Sequence, residues 1–140
     1  MLRTRDWVLT MTDRRPDRVY GIVVQDGRAF LCRYGDRFGL PGGIFRPMAE
    51  DRKAEVRAHL LDQLGIMSRA VWAQGAFIYH HPAEDIPQFS GFYTVWEWDG
   101  DLPEDAGEWM DADQIAQADI ETALRVLLLS VVTTQAVHTR

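Results

Sequence analysis

The chain has 140 residues, of which 46% are hydrophobic and 26% charged, and its formal net charge is -6 at pH 7. These values predict one folded domain over residues 1–140 and exclude an intrinsically disordered chain, while the negative charge argues against general nucleic-acid binding. No apolar run approaches the roughly 18 residues of a membrane-spanning helix, and the N-terminus lacks the pattern of a signal peptide. Because Cys32 is the one cysteine, no internal disulfide can form, and we expect a cytoplasmic protein.

The first third of the chain predicts a strand followed by a β-hairpin. Residues 5–11 have the composition of a short strand. Residues 18–25 and 28–34 are rich in apolar residues typical of strands. Between them, Asp26-Gly27 is a strong signal for a two-residue turn. These residues therefore predict a hairpin.

A glycine-rich loop and a helix are predicted next. The glycines and prolines of residues 35–47 predict an irregular loop whose backbone can approach a ligand closely. Residues 48–64 are mostly helix formers, and apolar residues such as Leu60 and Leu64 recur at helical spacing. Gly65 provides a natural C-terminal stop.

The second half predicts two long strands, a short strand and two helices. Residues 69–80 and 88–98 have the composition of strands, and prolines bound the turn between them. After an acidic linker, residues 108–110 predict a short strand, residues 111–118 a short helix and residues 120–133 a C-terminal helix. We expect most aromatic residues of the two long strands to lie in the core, since they are the largest source of apolar burial.

The order of these elements and three short motifs resemble the Nudix superfamily. LPGG at 40–43 is similar to the entrance of the Nudix signature, LGI at 64–66 to its exit, and GEWM at 107–110 to the end of MutT-type Nudix hydrolases. The resemblance covers roughly residues 18–133. It implies an α/β fold, the Nudix α/β/α sandwich, in which a mixed β-sheet lies between the Nudix helix and a C-terminal helix. It also implies hydrolysis of a nucleoside diphosphate linked to a moiety X, with Mg²⁺ held by helix glutamates.

The chain departs from the Nudix signature where the family places its carboxylates. The spacing between the two motif glycines is one residue longer than in the signature, and an insertion before the helix aligns Glu50 with the first signature glutamate. In this alignment Ala58 replaces the signature arginine. The three following glutamate positions hold His59, Asp62 and Gln63. Because Mg²⁺ requires several oxygen ligands and negative charge nearby, we expect hydrolysis to be weak or absent.

A different polar stripe is a candidate replacement for the missing carboxylates. Glu55, His59 and Asp62 fall within about 60° on one face of an ideal helix. Glu104 or Asp105, in the acidic loop where some family members supply a carboxylate, could complete a metal site. Such a mixed set of ligands suits Mn²⁺ or Zn²⁺ better than Mg²⁺, and Asp62 or His59 would then lie near the attacking water. Alternatively, the stripe is only the solvated face of an amphipathic helix.

Arginines around the glycine-rich loop are candidates for phosphate binding. Arg33 lies where Nudix enzymes often place a phosphate-contacting arginine, and Arg37 and Arg46 lie beside the loop. A guanidinium can form paired hydrogen bonds with phosphate without a metal. The predicted ligand site consists of Arg33, Gly42, Gly43, Arg46 and Glu50.

Two further pairs of polar residues have structural interpretations. Glu50 and Arg57 could form an ion pair, as a family buttress or as a plain surface pair. His80 and His81 are adjacent on a predicted strand, so their side chains point to opposite faces and cannot easily share one metal. We expect one of them to be buried and one exposed.

Three functions are consistent with the sequence. The first is a domain that binds a small nucleoside diphosphate-linked or triphosphate ligand and hydrolyses it poorly or not at all. The second is an active diphosphohydrolase that uses Glu55, Asp62 and an acidic-loop carboxylate with Mg²⁺ or Mn²⁺. The third is an interaction module whose exposed aromatic residues form a homodimer. The missing glutamates favour the first.

Overall fold

The computed structural model describes residues 15–138, with side chains through residue 135. The strands are β1 (Arg18–Gln25), β2 (Arg28–Tyr34), β3 (Arg37–Gly39), β4 (Gly42–Ile44), β5 (Met67–Tyr79), β6 (Gln88–Asp99) and β7 (Gly107–Met110). The α-helices are α1 (Arg52–Leu64), α2 (Ala112–Gln117) and α3 (Thr122–His138), and a single 3₁₀ turn (Glu104–Ala106) precedes β7. The strand predicted at residues 5–11 lies outside the described residues.

The strands form one mixed sheet. Its order is β3-β2-β1-β6-β5, with β4 added to β1 and β7 added to β2. β1 and β6 run parallel, from the pair Arg18 and Ser90 to the pair Val23 and Val95. The other pairings are antiparallel. β1 is therefore the central strand and contacts β2, β4 and β6.

Helices cover both faces of the sheet because the residues of β1 alternate between two apolar clusters. Ile22 packs in one cluster with Leu124 of α3. Val23 packs in the other with Leu60 of α1. All four side chains are fully buried. The predicted α/β/α sandwich is confirmed, with α1 on one face and α3 on the other.

The hairpin and the end of α1 also match the sequence predictions. Asp26 and Gly27 have φ values of 54° and 72°, as a tight two-residue turn requires. Gly65 ends α1 with φ 71° and donates its N–H to the carbonyl of Leu61. Both turns rely on residues that tolerate a left-handed backbone.

The prediction that the helix starts at residue 48 is wrong, because α1 begins at Arg52. Asp51 is its N-cap and accepts hydrogen bonds from the N–H groups of Lys53 and Ala54 at 3.0 and 3.2 Å. An aspartate that satisfies the first free N–H groups favours a helix start immediately after it. Helix-forming composition at residues 48–51 did not reveal this boundary.

The prediction of an irregular loop over residues 35–47 is wrong in part. β3 pairs with β2, and β4 pairs with β1 through Gly42, Gly43 and Ile44. Glycine weakens a strand but retains both backbone hydrogen-bonding groups, so a neighbouring strand can still hold it. The glycine-rich segment is therefore fixed to the central strand over part of its length.

Burial of the remaining predicted residues is mixed. Phe92 and Tyr79 lie in the core as expected, whereas Trp72 is 60% exposed and Trp96 38% exposed, contrary to the expectation for aromatic residues. Cys32 is buried, and burial raises the pKa of its thiol to about 12, which fits a small apolar core residue. Within residues 15–138, no helix has the length and apolar character needed to cross a bilayer.

Candidate functional site

The glycine-rich segment lies directly against β1. Gly42 has φ 149°, and a Cβ placed on it would be 2.2 Å from the carbonyl oxygen of Val19. On either side of β4, Gly21 donates its N–H to the Pro41 carbonyl at 2.9 Å, and Phe45 donates to the Asp17 carbonyl at 3.0 Å. The close approach that glycine permits here is to the chain's own backbone. Gly42 is therefore required by packing, whatever else it contacts.

Gln63 of α1 binds both backbone groups of Gly42. The Gly42 N–H donates to Oε1 at 2.9 Å, and Nε2 donates to the Gly42 carbonyl at 2.8 Å. A side-chain amide has one donor and one acceptor side, and here each is matched to the main chain. Gln63 thus attaches the end of the helix to β4.

His59, one turn earlier on α1, binds the same strand. Its Nε2 lies 2.9 Å from the carbonyl oxygen of Ile44. Because a carbonyl can only accept, Nε2 carries the proton in this contact. The imidazole also lies against Gly43, where an added Cβ would be 3.2 Å from Cε1.

Glu55, a further turn towards the start of α1, holds Arg46. The guanidinium donates from Nε at 2.8 Å and from Nη2 at 2.5 Å to the same Glu55 oxygen. The Glu55 side chain is 6% exposed and that of Arg46 is 74% exposed. These hydrogen bonds hold the pKa of Glu55 below its usual range despite the opposing effect of burial. Glu55 is therefore an ionised partner of Arg46.

The three contacts form a regular series. Positions 55, 59 and 63 are spaced by one helical turn and pair with positions 46, 44 and 42 of the opposing segment. We call this set of contacts the helix–loop latch. It uses Glu55 and His59, two of the three residues of the predicted metal stripe, to join the helix to the loop.

The other end of the glycine-rich segment is fixed by the carbonyl of Leu40. It accepts hydrogen bonds from His81 Nε2 at 2.9 Å and from the Tyr34 hydroxyl at 3.2 Å. His81 Nδ1 in turn accepts the Ala83 N–H at 3.0 Å, so the ring is neutral with its proton on Nε2. His81 is buried and His80 is exposed, so one of the two is buried as expected. The prediction that both lie on a strand is wrong, because β5 ends at Tyr79.

Arg15 adds contacts after β4, where the segment leads to α1. Its guanidinium lies 3.6 Å from the centre of the Phe45 ring and donates to the carbonyls of Arg46 and Ala49. These hydrogen bonds and the cation–π contact hold the turn between β4 and α1 in place.

Three solved structures share this arrangement of strands and helices. The MutT Nudix hydrolase from Burkholderia pseudomallei aligns with a TM-score of 0.64 at 21% identity, over 83% of this chain and 97% of that chain. The mutator MutT protein from Bacillus halodurans aligns with a TM-score of 0.68 at 17% identity, over 84% and 82%. A UDP-X diphosphatase aligns with a TM-score of 0.60 at 16% identity, over 96% and 73%.

The chain has the Nudix fold. The resemblance stated from the sequence is thereby confirmed at the level of the fold. No protein-family model and no curated protein matches the sequence.

The residues of α1 do not fit the divalent metal ion that Nudix hydrolases generally use. Residues 15–138 contain no group of three or more His, Cys, Asp or Glu side chains that could hold a metal ion. Glu55 and His59 are bonded to the loop through the latch, and Asp62 is exposed on the same helix. Glu104 lies in the 3₁₀ turn and lines a separate cavity. The proposed ligands Asp62, Glu55 and Glu104 are therefore not brought together.

Each of the three arginines predicted to contact phosphate has a carboxylate partner. Arg33 pairs with Glu108, and Arg37 lies 3.5 Å from Asp119. Arg46 pairs with Glu55. Their positive charge is offset locally, so a bound phosphate would meet ion pairs and not isolated cations.

The predicted Glu50 contact is not formed with Arg57. In the described part of the chain, the two residues make no ion pair with each other. Glu50 is exposed and lies with Asp51, Arg52 and Lys53 at a depression beside the start of α1. It is next to the N-cap, where it has no role in the latch.

Sequence reasoning missed the role of Gln63 and of Arg15. The four-residue spacing of Glu55, His59 and Gln63 was visible in the sequence as one helix face. What that face contacts depends on the fold of the loop, because its partners are mostly backbone groups. A backbone partner leaves no residue-specific signal in a single sequence.

Proposed function

We propose that this Nudix-fold protein binds a nucleoside diphosphate-linked ligand or a nucleoside triphosphate and hydrolyses it weakly or not at all. The observation that carries the proposal is the latch. Two of the three signature positions that would hold carboxylates form hydrogen bonds with the loop backbone. Similarity to MutT proteins and to a UDP-X diphosphatase supports a small nucleotide as the ligand. The net charge of -6 disfavours a polyanionic nucleic acid.

Arg46 is the best-placed residue for phosphate contact. Its side chain is 74% exposed while two of its N–H groups are fixed on Glu55. A guanidinium has five N–H donors, so those on Nη1 remain for a ligand. The ion pair thus orients the group that would contact phosphate. Arg33, with a side chain 44% exposed, is proposed as a second contact, and Gly42, Gly43 and Glu50 as further members of the ligand site.

The test is a thermal-shift screen of nucleoside di- and triphosphates and nucleotide sugars, each with Mg²⁺, with Mn²⁺ and with chelator. Ligand at about 100 times its Kd should stabilise the folded state by about 2.7 kcal/mol. We expect this shift to persist in chelator, with no nucleoside monophosphate released on prolonged incubation.

Variants of two exposed arginines make the screen specific. Arg46→Gln should abolish most of the shift, whereas Arg28→Gln, on the exposed hairpin end, should leave it unchanged. Metal-dependent release of monophosphate that is lost in Asp62→Ala would instead establish the diphosphohydrolase that uses Glu55, Asp62 and an acidic-loop carboxylate. Equal loss of the shift in both arginine variants would contradict a phosphate site at Arg46.

A second candidate function is that of an interaction module that forms a homodimer, and the exposed apolar side chains of β5 favour it. Trp72 is 60% and Ile78 51% exposed, and both lie on β5, an edge strand of the sheet. Exposed edge strands with large apolar side chains are suited to pairing with another chain. Sedimentation should then show a dimer that Trp72→Gln dissociates. A monomer at all concentrations would contradict this candidate.

A further inference from the structure

The cavity that Glu104 lines is at the carboxyl ends of β1 and β6. It has a volume of about 760 Å³. Among the described residues, none from α1 or β4 lines it, so it is distinct from the region of the latch. Its lining includes three indole rings and three carboxylates: Trp96, Trp98, Trp109, Glu97, Asp101 and Glu104. We call these six residues the tryptophan cleft.

Two of the three rings of the tryptophan cleft pack against each other. Trp98 and Trp109 have centroids 6.1 Å apart and planes inclined by 27°. Phe30, which is buried, packs edge-on against Trp109 at 5.5 Å. Both indoles are half-buried. This packing restrains the two rings, so little side-chain freedom remains to be lost when a ligand binds to their outer faces.

The charge of the cleft is negative. Glu97, Asp101 and Glu104 are exposed carboxylates, and the basic residue on the lining is Arg69. Arg69 lies 3.5 Å from Asp99, which offsets its charge. A nucleoside diphosphate would be repelled from such a surface, whereas a cation would be attracted to it. The carboxylates do not converge as metal ligands do, since no metal-binding group of side chains is found in residues 15–138.

We propose that the tryptophan cleft binds an organic cation of the quaternary ammonium class. The face of an indole attracts a cation whose centre lies within about 6 Å of the ring, and a quaternary ammonium needs no hydrogen-bond acceptor. Aromatic faces and dispersed carboxylates therefore match this group better than they match a metal ion or a phosphate. The proposal does not depend on nucleotide binding elsewhere in the molecule.

The first experiment compares choline with 3,3-dimethylbutan-1-ol, a neutral molecule of the same shape. Calorimetry gives the affinities, and the indole N–H resonances of ¹⁵N-labelled protein report which tryptophans are affected. We expect choline to bind at least about tenfold more tightly than the alcohol, with shifts at Trp98 and Trp109. Equal affinities, or shifts elsewhere only, would overturn the proposal.

Charge variants test the carboxylates without disturbing the packed rings. The combined change Glu97→Gln, Asp101→Asn and Glu104→Gln should weaken choline binding about tenfold. Asp85→Asn, an exposed carboxylate away from the cleft, is the matched control and should have no effect. Trp98→Leu should abolish choline binding. If that variant does not fold, the charge variant alone decides whether the proposal holds. Unchanged affinity in the charge variant would overturn the proposal.

Two further arms identify the source of the cation and separate this cleft from the nucleotide site. A peptide containing trimethyllysine that binds more tightly than choline assigns the cation to a protein side chain, and the reverse assigns it to a free small molecule. UDP at saturating concentration should leave choline binding unchanged. Competition by UDP would overturn the proposal, whereas a failure of UDP to bind at all would contradict only the proposed nucleotide function.

Discussion

The helix–loop latch and the tryptophan cleft use similar polar residues for different ends. In the latch, Glu55, His59 and Gln63 each have a partner within the chain, and those of His59 and Gln63 are backbone groups. In the cleft, Glu97, Asp101 and Glu104 are exposed around indole rings. A polar helix face within a recognised motif can therefore serve the fold. The carboxylates of the cleft, in contrast, are exposed and remain available to a ligand.

The largest expected effect is at Gly42, where the latch meets β1. Gly42→Ala combines an unfavourable φ of 149° with a Cβ 2.2 Å from the Val19 carbonyl oxygen, so we expect a loss of about 3 kcal/mol or more. Gly75→Ala is the control, because Gly75 has φ 146° with nothing within 4 Å of the added Cβ. It should cost roughly 1 kcal/mol from backbone strain alone. Urea unfolding of both variants measures the difference, and equal losses would contradict the packing role of Gly42.

A pH effect should come from His81, which holds the other end of the same segment. Burial lowers the pKa of His81 below its ordinary value of 6.5, against the smaller opposing effects of the Leu40 carbonyl and Glu84. The unfolded chain therefore binds a proton that the folded protein resists. Stability should fall as pH drops below about 6.5, by at most about 1.4 kcal/mol per pH unit from this group.

Histidine variants test that assignment. In His81→Gln, the part of the pH dependence just below 6.5 should disappear, whereas the exposed His80→Gln should retain it. Chemical denaturation between pH 5 and 7.5 provides the data. If both variants keep the same slope, the acid sensitivity comes from another group.

Removing Gln63 should break the latch with a smaller loss. Gln63→Ala deletes two hydrogen bonds with Gly42 at a solvent-accessible position, so we expect about 1–2 kcal/mol of destabilisation. Gln63→Glu restores the signature carboxylate but loses the donor, and it should also destabilise the protein. Gln117→Ala on α2 is the control and should change stability by less than about 0.5 kcal/mol. Thermal unfolding that ranks Gln117→Ala with Gln63→Ala would contradict the latch.

The smallest expected effect on stability comes from changes to the carboxylates of the tryptophan cleft. Neutralising Glu97, Asp101 and Glu104 together should change the unfolding free energy by only a few tenths of a kcal/mol, because exposed carboxylates of this kind contribute little. The same variant should lose choline affinity. A large loss of stability would show that these carboxylates contribute to folding, as the residues of the latch do.

Much of the fold could be predicted from the sequence because its signals are local. Asp26-Gly27 specifies a tight turn, and Gly65 specifies the end of α1. The LPGG and LGI motifs are similar to the two ends of the Nudix signature, and with the order of elements they indicate the Nudix fold. The N-cap at Asp51 is an equally local signal, and it marks the start of α1 at Arg52.

The candidate sites could be predicted only in part because their contacts are distant in sequence. Helical spacing placed Glu55, His59 and Asp62 on one face but gave no information on the backbone opposite. The tryptophan cleft draws residues from β6, β7, the 3₁₀ turn and the loop between them. Their meeting depends on the order of strands in the sheet, which composition and spacing do not encode.

The parallel pairing of β1 with β6 has a consequence for how the chain folds. Arg18 meets Ser90 only after the whole of the intervening chain has been made, whereas the β1–β2 hairpin, α1 and the latch involve nearby residues. Contacts that close long loops form late, because the chain loses conformational entropy on closing the loop before the stabilising contacts are made. On a ribosome, an early hairpin with α1 beside it would therefore wait for β6 before the sheet could close.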